Sequence, residues 1–93
     1  MNGKRKGTRA AHRVMKLLEK TGYVCSRAAG ALGLFDVIAI GSSTIRLIQV
    51  KSGGEYLSGI EREAICALVV PPNVTRECWR LPTGCRSPLI EIL

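Results

Sequence analysis

The chain has 93 residues, enough for one domain with a modest core and too few for a second lobe. Hydrophobic residues make up 46% of it, which argues against intrinsic disorder, and no apolar run approaches the ~18–20 residues of a membrane span. Fourteen Lys and Arg against seven Asp and Glu give a net charge of +7, which suits either attraction to polyanions or a solubilising surface.

The start, Met1-Asn2-Gly3-Lys4-Arg5-Lys6, is basic, but no apolar stretch follows it. A secretory signal is therefore not expected, and a cytoplasmic location is. Basic residues continue with Arg9, Arg13, Lys16, Lys20 and Arg27, and Glu19 is the only acid of the first 27 residues. Phosphate backbones are the usual target of such a segment. Residues 1–8 read as a basic arm and residues 9–93 as a single domain.

Arg9 to Lys20 is the first predicted helix. Ala10, Val14, Leu17 and Leu18 form its apolar stripe, Thr8 is its expected N-cap, and Gly22 stands just past its end. Tyr23–Ala28 reads as a short strand. Leu34–Ile40 and Thr44–Ser52 are β-rich runs around a Gly41-Ser42-Ser43 turn, hence a hairpin. Ser58–Leu68 reads as a second helix, with Ser58 and Glu61 at capping-box spacing. Pro71-Pro72 ends it. Val74–Arg80 and Leu89–Leu93 are the last expected strands. The order is α-β-β-β-α-β with one more strand, an α/β or α+β layer of helices against a small mixed sheet.

Cys25, Cys66, Cys78 and Cys85 show no close ligand pair, and His12 is the only histidine, so a zinc site is not expected. Cys25 and Cys66 lie in apolar segments and read as small buried hydrophobes. Cys78 and Cys85 are near enough in sequence for a disulfide, but free thiols suit a cytoplasmic chain. Trp79 reads as a core or interface aromatic, and His12 as an exposed side chain of the first helix.

The hairpin carries the chemistry. If Ser42 and Ser43 form a two-residue loop, Gly41 faces Thr44 and Asp36 falls opposite Gln49. Lys51 shares the face of Gln49. Asp36, Gln49 and Lys51 then form a polar cluster among Leu34, Phe35, Val37, Ile38, Ile48 and Val50. A carboxylate, an amide oxygen and the Val50 backbone carbonyl can hold a hard divalent cation, with Lys51 left to stabilise charge on phosphorus. The plainer alternative is an Asp36–Lys51 salt bridge at a sheet end, with Gln49 hydrogen-bonded beside it.

The stretch Arg5-Lys6-Gly7, the helix 9–20, Gly22-Tyr23, Arg27-Ala28-Ala29-Gly30-Ala31-Leu32-Gly33-Leu34-Phe35-Asp36 and Ile48-Gln49-Val50-Lys51 resembles the archaeal-type Holliday junction resolvases of the PD-(D/E)xK nuclease superfamily. It spans residues 4 to 68. The resemblance implies a restriction-endonuclease-like α/β fold with an αβββαβ core. It also implies a metal-dependent DNA endonuclease, a Holliday junction resolvase among the options, that hydrolyses phosphodiesters with Mg2+ or Mn2+ and works as a homodimer on branched DNA. It assigns Asp36 and Gln49 as metal ligands beside the Val50 carbonyl, Lys51 as the catalytic lysine, and Arg5, Lys6, Arg9 and Arg27 as phosphate contacts. Three departures stand out. Ala11 falls where such resolvases carry a helix glutamate, Ala31 falls where they carry a serine, and Gln49 replaces a carboxylate. The alternative is therefore a DNA-binding module that keeps the nuclease fold without its catalysis.

Overall fold

The computed structural model describes residues 2–28 and 33–93; for residues 2–8 it describes the helical backbone alone. Helix α1 runs over Asn2–Glu19 and is followed by strands β1 (Val24–Arg27), β2 (Val37–Ile40) and β3 (Ile45–Ser52). Helix α2 (Gly59–Ala67), β4 (Val74–Leu81) and β5 (Leu89–Ile92) complete the chain. The strands form one mixed sheet in the order β1-β2-β3-β4-β5. β3 and β4 are parallel, joined by the α2 crossover, and the other pairs are antiparallel. This is the expected αβββαβ core with one added strand.

The α1 stripe closes the core. Ala11, Val14 and Leu18 pack with Val37, Ala39, Ile48, Trp79 and Leu81 in one buried cluster. Ala11 belongs to this stripe and is fully buried. The helix also starts earlier than Arg9, so the expected cap Thr8 lies within it. Lys4, Arg5 and Lys6 are good helix formers, and adding turns to an existing helix is far easier than nucleating one. At its other end Gly22 takes φ +95, Tyr23 N–H donates to the Leu18 carbonyl, and Gly22 N–H donates to that of Glu19. That is a Schellman end, and it needs a residue tolerant of positive φ.

Polar ties fix α2 to the sheet. Lys51 pairs with Glu61 and Arg62 pairs with Glu91 of β5. Arg76 of β4 donates to the carbonyls of Cys66, Leu68 and Leu93. Ile65 is the buried residue of α2, and Cys66 is exposed, against expectation. A helix turns about 100° per residue, so a one-residue inward stripe leaves its neighbour outside. All four cysteines are free thiols, Cys78 is buried, and Trp79 is a core residue.

Candidate functional site

The β2–β3 hairpin sets the position of the candidate residues. Gly41 N–H donates to the Thr44 carbonyl at 2.8 Å, and Ile40 pairs with Ile45, as a two-residue loop requires. From there the ladder runs to Val37↔Ile48 and stops. Asp36 N–H then donates to the Ile48 carbonyl at 2.8 Å. Two consecutive residues, Asp36 and Val37, thus oppose the single Ile48, the count of a β-bulge. The expected ladder pairing of Asp36 with Gln49 is corrected accordingly. The bulge re-aims the aspartate, whose Oδ2 accepts from Val50 N–H at 2.8 Å.

Asp36 thereby meets β3 at Val50, the residue between Gln49 and Lys51. The Asp36 carboxylate sits on the amide between Gln49 and Lys51. Val50 packs its side chain against the α1 core, so Gln49 and Lys51, its neighbours in an alternating strand, present theirs on the opposite, α2-bearing side. Gln49 is 9% exposed. The N–H and C=O of one strand residue point to the same side, so the Val50 carbonyl faces the Asp36 edge too.

Lys51 does not pair with Asp36. Its Nζ donates to Glu61 Oε2 at 2.9 Å. Glu61 Oε1 meanwhile accepts from Ser58 N–H at 3.0 Å, and Glu61 N–H donates to Ser58 Oγ, the full capping box. The Ser58 backbone bond, then Lys51, hold the Glu61 carboxyl below the ordinary glutamate range, against a smaller upward push from burial. Among the described residues no Lys, Arg or His nitrogen lies within 4.0 Å of the Asp36 carboxylate.

These donors have a chemistry that matches a hard cation. They comprise one carboxylate without a cationic partner among the described residues, one amide oxygen and one backbone carbonyl. Mg2+ is commonly held through one or two carboxylates, with water and phosphate completing the shell. No group of three His, Cys, Asp or Glu among the described residues is placed to hold a metal ion, so any site here is a sparse one. Glu61 is already engaged by Lys51 and Ser58. Ala11 is fully buried in the core.

Of the expected phosphate contacts, Arg9 is exposed on α1 and Arg27 is half-buried on β1, with its Nε buried and without a hydrogen-bond partner among the described residues. The side chains of Arg5 and Lys6, and Ala31, lie outside the described residues. His12 is exposed and Glu63 points to solvent. Arg13 donates to the carbonyls of Cys85 and Arg86 and ties α1 to the β4–β5 loop.

Two features escaped the sequence. One is the Lys51–Glu61 pair, whose members lie on different elements. The other is a part-buried ion pair on the same face of the sheet as Trp79, in which Glu77, 1% exposed, accepts a bidentate pair of bonds from Arg46 and one each from Thr75 and Trp79. The available signal was alternation, because Glu77 and Trp79 are two apart on β4 and share the core face. Beside Lys51 in register, Arg80 stacks its guanidinium on Tyr56 at 4.0 Å.

Neither protein-family models nor curated proteins match this chain. Among solved structures it is similar to Hjc, a Holliday junction resolvase from the archaeal hyperthermophile Archaeoglobus fulgidus, with a TM-score of 0.73 and 23% identity. The match covers 95% of this chain and 71% of that one. The fold is therefore the Hjc-like, restriction-endonuclease-like α/β fold that the sequence implied.

Proposed function

We propose that this protein is a metal-dependent DNA endonuclease that hydrolyses phosphodiester bonds, with four-way junctions as its first candidate substrate. The observation that carries this reading is the Asp36 carboxylate, seated on Val50 N–H between Gln49 and Lys51 with no cationic partner among the described residues. The Hjc-like fold and the +7 charge support it.

In this reading Asp36, Gln49 and the Val50 carbonyl hold Mg2+ or Mn2+. When bound, such an ion makes water a stronger nucleophile and neutralises charge on the phosphate. Lys51 aims its ammonium at the negative charge that grows on the phosphoryl oxygens. Arg9 and Arg27, with Arg5 and Lys6, hold the backbone of the DNA. The basic segment 1–8 extends that contact surface beyond the domain of residues 9–93. Resolution of a junction needs two cuts, so a homodimer presents two such sites. A cytoplasmic location goes with this reading, and free thiols are stable there.

The test is cleavage of labelled linear, nicked and four-way DNA with and without Mg2+. Metal-dependent cutting of at least one substrate is expected, and no cutting of any of them refutes the reading. A specific observation favours a second reading, a DNA-binding module without cleavage. Ala11, the position where the resemblance calls for an acid, is fully buried in the core. That reading predicts salt-sensitive binding to the same DNAs without a cut.

A further inference from the structure

Glu61 is held at both of its oxygens, and the two bonds serve different ends. Oε1 accepts from Ser58 N–H, and that bond completes the capping box of α2. The cap needs nothing more from this carboxylate. Oε2 nonetheless takes the Lys51 ammonium at 2.9 Å, with Lys51 only 15% exposed. A lysine has four flexible methylenes, and here its charged end is fixed by the N-terminus of a helix. The same contact satisfies the lysine without using Asp36, whose carboxylate keeps no cationic partner among the described residues.

We infer that Glu61 is a positioning residue for Lys51, with the Ser58 backbone N–H at the start of α2 as the mount that sets where the ammonium stands. The inference rests on the nuclease reading for what Lys51 does. Where Lys51 is held is independent of that reading. Glu61 acts through Lys51 and touches no reacting atom.

Two variants separate positioning from helix capping. Glu61→Gln keeps an oxygen for Ser58 N–H, and Gln is competent at this capping-box position, but it removes the charge that holds Lys51. Ser58→Ala removes the Oγ acceptor of the cap and leaves the Ser58 N–H that fixes the carboxylate. Each variant is examined by acylation of its lysines with an amine-directed reagent, read at Lys51 by mass spectrometry without DNA or metal. Single-turnover cleavage at saturating DNA is the second readout.

Glu61→Gln is expected to make Lys51 several-fold more reactive. It should slow cleavage by about tenfold to a hundredfold, the usual effect of a misplaced reacting group, with DNA affinity unchanged. Ser58→Ala is expected to melt about 4–8 °C lower, with Lys51 reactivity and cleavage unchanged. Unchanged Lys51 reactivity in Glu61→Gln overturns the inference. So does wild-type cleavage by that variant, or an equal loss of cleavage in Ser58→Ala. If the wild type cuts no DNA, the nuclease reading fails, and the acylation contrast alone decides whether Glu61 positions Lys51.

Discussion

Glu77 shows how strongly a single residue can depend on its partners. Burial pushes its carboxyl toward the neutral form, but hydrogen bonds from Arg46, Thr75 and Trp79 outweigh burial and leave it below its ordinary value of 4.5. A lowered folded-state value gives stability that is present above the unfolded value and lost as pH falls through the folded one. The protein should therefore keep its full stability near neutral pH and lose part of it below about pH 4.5, which urea titrations at a series of pH values will read. Glu77→Ala strands Arg46 without its counter-charge and should cost about 3–5 kcal/mol, as removal of one partner of a buried pair does. A denaturation midpoint equal to wild type would contradict this. At the candidate site, Gln49→Glu adds a second carboxylate beside Asp36. It should tighten Mn2+ binding measured by electron paramagnetic resonance, and weaker binding would remove Gln49 from the ligand set.

At the scale of elements, α2 depends on few contacts with the sheet. Ile65 is its buried residue, so Ile65→Ala should cost about 2–5 kcal/mol. Ile60 is 81% exposed, and Ile60→Ala should stay within about 0.5 kcal/mol of wild type. Thermal melts of the two variants check both statements. The capping box of this helix was legible because Ser58 and Glu61 are three residues apart, a spacing that local geometry dictates. The hairpin was legible for the same reason, since a Gly-flanked two-residue loop fixes the register for several pairs on either side. The bulge at Asp36 was not. It arises when one extra residue is accommodated against Ile48, and no side chain in the run announces it. Lys51–Glu61 was hidden for another reason. The partners meet only after α2 crosses over the sheet, so ten residues of separation say nothing about their distance. Cys66 misled because apolar neighbours in sequence do not make a buried face when the helix buries a single stripe.

For the whole molecule, charge and fold make one joint prediction. A protein of +7 that tracks a phosphate backbone releases counterions when it binds, so affinity should fall linearly on a log–log plot against salt. Each phosphate contact contributes about 0.9 to that slope, and Arg9→Ala should flatten it by about that amount. Fluorescence anisotropy over a salt series reads the slope, and an unchanged one would take Arg9 out of the DNA contact. In this sheet Asp36 meets β3 at Val50, and the basic α1 packs on the face that carries the Val50 side chain.

The most direct measurement is single-turnover cleavage of a labelled four-way junction by wild type and Asp36→Ala, each saturated with DNA, with and without Mg2+. Wild type should cut only with the metal, and Asp36→Ala should bind the junction and leave it whole. Cutting by Asp36→Ala at the wild-type rate, or no cutting by wild type on this or any other DNA, would contradict a nuclease centred on Asp36.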